Sequence, residues 1–393
     1  MNSRFIGGIL LIIGTSIGGG MLALPVATAE VGFFNSVLFL IGCWLVMTVG
    51  ALLVLEVNLR LPPGSNMVSM AKSTLGFPGQ ILAWVTYLFL LYTLLAAYIS
   101  GGSDVFSSIF AILHIIIPAK ISALIFTFLF GCVVYTGIRA VDFVNRGLMF
   151  GKLGVFLILL LIISPHMKRT LLDGGSVQAI TGSLMILITS FGFASIVPSL
   201  REYFNDNIPA LRKVILLGSL IPLTCYIAWD AVIMGTIARE GQQGLMSLMA
   251  SEHSTSGLTS ALSEAVQSQW ISGFFAFFSS VCMLTAFLGV SIGLFDFLAD
   301  GLSLKKSGIQ GKSVLLLTFV PPLLIVLANP GIYLQALRYA GICCVILLLL
   351  LPTVMAWRGR IRSSESLVLV PGGNLGLGLA FMAATYLLYL TLF

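Results

Sequence analysis

Charge is what this 393-residue chain has least of: Asp, Glu, Lys and Arg make up 9% of it, against about a quarter in an ordinary soluble domain. Histidine is scarcer still. The three present, His114, His166 and His253, fall in or beside polar connections, which argues against a buried histidine relay, an intramembrane metal site or a membrane-embedded hydrolase. The six cysteines (Cys43, Cys132, Cys225, Cys282, Cys343 and Cys344) all lie in apolar stretches. Cys343 and Cys344, though adjacent, point to different helix faces, so neither a disulfide framework nor a metal-ligand spacing is present, and all six read as small hydrophobes. Long polar segments are missing too. The longest connections, about 238 to 269 and about 353 to 371, are too short and too polar to fold alone, and the first either covers a vestibule or is a plain solvated loop. Residues 1–393 therefore read as one unit with no separate soluble domain and no cofactor.

What is abundant is apolar surface, at 58% of residues, more than a soluble fold of this size can hide. Apolar runs of about 20 residues, long enough to cross a hydrocarbon layer roughly 30 Å thick, recur along the whole chain. Eleven are expected: 5 to 28, 33 to 59, 79 to 101, 121 to 138, 147 to 164, 177 to 200, 214 to 237, 270 to 299, 313 to 328, 331 to 352 and 372 to 392. Their length and uniformity predict helices and not the alternating strands of a barrel. The first lacks a signal-peptide cleavage pattern and reads as a retained helix. With the N-terminus placed inside, five of the 20 Lys and Arg residues (Lys120, Lys168, Arg169, Arg239, Arg338) fall outside and the other fifteen, Arg139 and Arg146 among them, fall on the cytoplasmic side. That bias puts the N-terminus in the cytoplasm and the C-terminus outside. The net charge of +6 reflects this topology and an anionic lipid surface and gives no support for nucleic-acid binding.

Two of the runs are interrupted in the same way. The first reads Ser16-Ile17-Gly18-Gly19-Gly20-Met21-Leu22-Ala23-Leu24-Pro25 and the sixth Thr189-Ser190-Phe191-Gly192-Phe193-Ala194-Ser195-Ile196-Val197-Pro198. Setting Pro25 against Pro198 also pairs Gly19 with Gly192 and Ser16 with Thr189 at one offset. Carriers built from inverted repeats place discontinuous helices at matching positions of their halves, where they form the binding site. A break exposes backbone groups that lipid cannot satisfy, so it is tolerated where it lines a cavity or meets a ligand. Amides near Gly18, Gly19 and Gly20 open the second half-helix and favour a carboxylate. Carbonyls near Gly14 and Thr15, and at the matching break, accept from an ammonium group; together they fit a zwitterionic amino acid. The alternative is a close helix-helix contact through Gly14 and Gly18.

Several ordered motifs, from Gly14-Thr15-Ser16-Ile17-Gly18-Gly19-Gly20-Met21-Leu22-Ala23-Leu24-Pro25 through Leu55-Glu56-Val57, Ala96-Ala97-Tyr98-Ile99-Ser100-Gly101, Ser190-Phe191-Gly192-Phe193 and Val197-Pro198-Ser199 to Gly293-Leu294-Phe295-Asp296-Phe297-Leu298-Ala299-Asp300, give the chain its family likeness. It resembles, over nearly its whole length, the hydroxy and aromatic amino acid permeases, especially their bacterial tyrosine-specific and tryptophan-specific members. The resemblance implies an all-α membrane protein with the five-plus-five inverted-repeat (LeuT-like) fold of the amino acid, polyamine and organocation transporters. Helices one and six are broken, the repeats cover about 5–164 and 177–352, and an eleventh helix is added at about 372–392. It implies inner-membrane uptake of tyrosine, tryptophan or phenylalanine with a proton; sodium coupling or another amino acid is the alternative on the same fold, and a channel fits the two asymmetric breaks less well. The permeases compared tend to carry His-Gly after the Phe-Gly-Phe of helix six, where Ala194-Ser195 stand here, which leaves substrate choice and any coupling role of that histidine open.

Candidate site residues follow. Tyr92, Tyr98, Phe191 and Phe193 either line a pocket for an aromatic ring or pack among themselves. Ionisable groups inside spans are costly and default to functional candidates. Lys152 is either a coupling cation, as in proton-driven relatives of the fold where a lysine on the same helix replaces a bound sodium, or a side chain snorkelling to the inner surface. Asp230 is either a proton-binding carboxylate or one bonded to Trp229 and nearby hydroxyls. Thr285 and Ser291, on the helix that faces the first break in this fold, either bind an ion or bond back to their own helix. Glu56 and Asp296, near the cytoplasmic ends of spans, are expected to pair with basic residues. Oligomeric state is not legible.

Overall fold

The computed structural model describes residues 3–112, 114–135, 138–251, 253–362 and 368–392. The side chains of Arg139 and Arg146, counted above toward the cytoplasmic side, lie outside the described residues. Among the described residues the chain is helical with no strand.

The first span is broken as expected. Helix α1 (Ser3–Ser16) and α2 (Gly19–Ala27) meet at a 52° bend. Ile17 and Gly18 separate them, and Gly18 is nearly fully extended, with φ −154° and ψ −149°. Helix α3 (Phe33–Leu59) returns across the bundle, the short α4 (Met67–Leu75) turns the chain, and α5 (Phe77–Ile112) runs well beyond the segment expected at 79 to 101. Then come α6 (Ala119–Tyr135), α7 (Ile138–Ile163), the single turn α8 (Arg169–Leu172) and α9 (Ile180–Ser190). Helix α9 stops at a turn on Phe191, and a 3-10 stretch at Gly192–Ile196 leads into α10 (Val197–Tyr203). Pro198 stands in the first turn of α10, where its missing N–H has no intrahelical acceptor to lose. The sixth span thus changes helix type where the first one bends, and its halves stay within one 27-residue span, Val177–Tyr203.

Helix α11 (Ile208–Thr236) starts at Asn207, whose side chain accepts from the Ala210 amide at 3.1 Å, as an N-cap should. Helices α12 (Leu245–Met249) and α13 (Ser254–Val266) follow. The connection at 238 to 269 is therefore not a plain solvated loop. Its amphipathic serines and leucines form α13, and the Ser256 amide and hydroxyl donate at 2.8 and 2.7 Å to Asp104 near the end of α5. Helices α14 (Gln269–Gly301), α15 (Gly308–Ala328), α16 (Tyr333–Val345), α17 (Leu351–Arg362) and α18 (Gly373–Leu392) complete the order, with a π turn at Ile346–Leu350 joining α16 to α17.

Among the described residues, eight helices are individually long and apolar enough to cross a membrane, and the bent α1–α2 pair makes a ninth. The two other expected segments, 121 to 138 and 147 to 164, correspond to shorter apolar helices at Ala119–Tyr135 and Gly151–His166. Large apolar side chains such as Leu38, Phe128, Leu161 and Leu375 lie exposed on the outer face, where a hydrocarbon solvent would cover them. Inside, Trp229 on α11 stacks on Phe275 of α14 at 5.6 Å, and Phe156 on α7 stacks on Phe278 at 5.9 Å.

Glu56 and Asp296, near the ends of their spans, are paired with basic residues. Lys306 donates to Asp296 at 2.6 Å. Glu56, fully buried at the end of α3, accepts from the Arg360 guanidinium at 2.7 and 2.8 Å, from Arg60 at 3.3 Å and from the Leu369 amide at 3.1 Å. It joins α3, α17 and the connection into α18. Removing one member of a buried ion pair costs about 3–5 kcal/mol because the remaining charge is stranded. Glu56→Ala is therefore expected to lower the midpoint of thermal unfolding in detergent, and an unchanged midpoint would show that this cluster does not hold the helices.

Candidate functional site

The helix break is a set of backbone groups in search of partners, and three side chains from other helices supply them. Lys152 on α7 is 2% exposed and donates its Nζ to the Ile17 carbonyl at 2.5 Å, with the Thr285 hydroxyl of α14 at 3.5 Å. Tyr226 on α11 shares its hydroxyl proton between the carbonyls of Ser16, at 2.7 Å, and Ser190, at 2.9 Å, so one side chain bridges both interrupted spans. Tyr333 on α16 donates to the Gly19 carbonyl at 2.5 Å. Of the amides that begin α2, Met21 donates to the Gly18 carbonyl at 3.2 Å, those of Gly19 and Gly20 have no intrahelical acceptor, and no side chain caps them at Gly18.

Of these groups, Lys152, Thr285, Ser16, Ser190 and Gly18 border a cavity of about 410 Å³. Its wall contains Gly14, Thr15, Ser16, Gly18 and Gly20 from the first span, Thr189, Ser190 and Gly192 from the sixth, Tyr98 of α5, Lys152 of α7 and Thr285 of α14. From the breaks it extends along α1 to Leu10 and Leu11, along α5 through Leu94, Leu91 and Leu90 to Tyr87, and along α14 to Gly293. Beyond the break the packing is tight. A Cβ on Gly19 would come within 2.7 Å of the Tyr98 ring, and one on Gly101 within 2.7 Å of Met283 and 3.1 Å of Tyr333.

Other residues singled out in the sequence stand elsewhere, each for a local reason. Tyr92 is turned to α15, where its hydroxyl donates to the Leu317 carbonyl at 2.7 Å. The cavity face of α5 is Tyr87, Leu91, Leu94 and Tyr98, at helical spacing of four, three and four, and Tyr92 is off that stripe. Phe191 and Phe193 are buried without lining the cavity, and Phe191 instead packs edge-on against Tyr226 at 5.3 Å. A 3-10 helix has three residues per turn, so Gly192 and Ser195 share the cavity face and Phe193 and Ala194 are rotated into the core. Gly19 is buried behind Tyr98 and is not in the wall. Asp230 is fully buried, away from the cavity wall, and neither of its carboxylate oxygens has a hydrogen-bond partner among the described residues. The Trp229 indole N–H beside it is likewise without one. Thr285 bonds back to its own helix, donating to the Cys282 carbonyl at 3.2 Å, and its hydroxyl oxygen faces the Lys152 ammonium at 3.5 Å. The hydroxyls of Ser291 and Ser16 are buried with no partner among the described residues.

Carbonyls at a break, uncapped amides, one ammonium group and an apolar extension make a container for a small molecule carrying both charges and a hydrophobic side chain. The sequence profile of the tryptophan/tyrosine permease family matches residues 1–391. The chain belongs to that family. The permease is 33% identical over 378 residues to the tyrosine-specific transport system 1 of Haemophilus influenzae, covering 95% of this chain and 93% of that one. It is 31% identical over 379 residues to the tryptophan-specific transport protein of Pseudomonas aeruginosa, covering 94% and 89%. It is also 28% identical over 402 residues to glutamine transporter 2 of Aliivibrio fischeri, covering 99% of both chains. The permease is thus a multi-pass membrane protein of a bacterial transporter family, and its relatives carry solutes and are not enzymes. Tyr226 and Tyr333, which close the backbone of the breaks, carried no signal in the sequence, since their carbonyl partners are 210 and 314 residues away.

Proposed function

We propose that the permease is a secondary carrier that imports an aromatic amino acid across the inner membrane together with a proton, by alternating access. The observation that carries this reading is the Lys152 ammonium on the Ile17 carbonyl, inside the cavity and at the break. A cation held there occupies a site that a sodium-driven carrier would give to its ion, and unlike sodium it gains and loses a proton. The substrate carboxylate meets the amides at Gly18 to Gly20, its ammonium group meets carbonyls at the breaks and the Thr189 and Ser190 side of the cavity, and its ring extends between α5 and α14. Asp230 is fully buried and off the cavity wall, so it does not touch the substrate.

The proposed architecture is eleven spans in a five-plus-five inverted repeat of the LeuT type, with repeats at about 5–164 and 177–352 and the last helix outside them. The matched interruptions at Gly18 and Phe191 support it. With the N-terminus in the cytoplasm, a cavity that runs toward Leu10 and Leu11 and is packed shut at Tyr98 and Tyr333 is the inward-facing member of the cycle. Uptake of labelled tyrosine into proteoliposomes, competed by unlabelled tyrosine, tryptophan, phenylalanine or glutamine, tests the substrate class. Competition by the aromatic three and not by glutamine is expected; competition by glutamine alone would overturn it.

A further inference from the structure

Glycine inside a helix is costly, by roughly 0.5–1 kcal/mol relative to alanine, and its presence calls for a reason. In this protein several helical glycines have an obvious one: a Cβ on Gly50 would meet the Leu348 carbonyl at 2.4 Å and one on Gly341 the Met185 carbonyl at 2.1 Å, so these helices touch through their backbones. Gly289 and Gly293 on α14 are different. Both line the cavity, one turn apart, and a Cβ on either would meet nothing within 4 Å. They are therefore not packing glycines. The space in front of them is the cavity itself, one and two turns along α14 from Thr285, where the wall also contains Leu10, Leu11, Tyr87, Leu90, Leu91 and Leu94. A second feature points to an occupant: the Ser16 hydroxyl, 4% exposed and part of the same wall, has no hydrogen-bond partner among the described residues, and buried hydroxyls without partners are rare.

We infer that Gly289 and Gly293 form the face of the cavity against which the substrate's ring lies, so that these two positions set the largest ring the carrier accepts. The inference rests on the aromatic amino acid reading above and assigns the element that grades size within that class. A flat ring approaches most closely where the opposing helix presents no side chain. A methyl group added there takes up ring space without disturbing any protein neighbour.

The test is a set of variants, Gly289→Ala, Gly293→Ala and Gly289→Leu, reconstituted and assayed for uptake of labelled phenylalanine, tyrosine and tryptophan. A single extra carbon in an apolar site shifts discrimination by about tenfold or more. Each alanine variant is therefore expected to lower tryptophan uptake about tenfold relative to phenylalanine, and Gly289→Leu to stop all three. Thermal unfolding in detergent should be unchanged or raised for the alanine variants, because alanine is the better helix former and meets no clash. For the alanine variants, equal loss for all three substrates, or an unchanged tryptophan-to-phenylalanine ratio in folded protein, would overturn the inference. If the unmodified carrier takes none of the three, the substrate class itself is wrong, and that result is visible before any variant is compared.

Discussion

Lys152→Ala is expected to abolish accumulation of substrate against its gradient while leaving exchange of substrate across the membrane. The side chain is 2% exposed, its ammonium is turned inward to the Ile17 carbonyl at 2.5 Å, and the Thr285 hydroxyl stands at 3.5 Å. That geometry is the opposite of snorkelling, in which the stem is buried and the charge reaches water. A charge held at this depth needs its partners, and the break's carbonyl needs a donor. Alanine removes the amine that sits on the first break, so binding and release of the driving proton lose their carrier while the rest of the cavity stays. Accumulation should fall at least about tenfold, the equivalent of roughly 1.4 kcal/mol in coupling, with counterflow of tyrosine preserved. Unchanged gradient-driven uptake would reduce Lys152 to a structural cap on the Ile17 carbonyl. Lys152→Arg separates the two roles, since it retains a donor for that carbonyl but does not deprotonate. It too should exchange without accumulating.

Tyr226→Phe is the second change with a large expected effect. One hydroxyl serves the carbonyls of Ser16 and Ser190 at 2.7 and 2.9 Å, and the ring is held edge-on by Phe191. Phenylalanine keeps the ring and strands two buried acceptors, each at a cost of about 1–3 kcal/mol. The two interrupted spans are joined through this atom, so the loss should appear twice: as a lower unfolding midpoint in detergent and as weaker tyrosine binding. A variant with wild-type stability and affinity would show that the breaks hold their geometry without the bridge. Tyr333→Phe, which strands the Gly19 carbonyl alone, is expected to give a smaller loss in the same direction.

The features legible in the sequence were those carried by local pattern. Glycines and a proline in an apolar run located the bend at Gly18, and the spans followed from length and hydropathy, with α5 and α17 continuing past the segments expected because helices do not end where a bilayer does. Lys152 was visible because a charge in an apolar run is rare, and Thr285 because the family resemblance sets its helix opposite the first break. What escaped was rotational or distant. Phe193 looked like pocket lining because it lies within the interruption, but the 3-10 turn there aims Gly192 and Ser195 at the cavity. The same turn puts Ala194 in the core. Tyr92 and Tyr98 are six residues apart, too far off a common helical stripe to share a face, and only Tyr98 reaches the wall. Gly289 and Gly293 read as ordinary small residues of a span, and only the empty space before them distinguishes them from glycines that let two helices touch.

The measurement that bears most directly on the central claim is accumulation of labelled tyrosine by the purified protein in sealed proteoliposomes, with the driving ion imposed one at a time. With an inward proton gradient and no sodium, tyrosine should concentrate inside, and collapsing the gradient with a protonophore should release it. Accumulation driven by a sodium gradient at equal pH, with none from the proton gradient, would contradict the account.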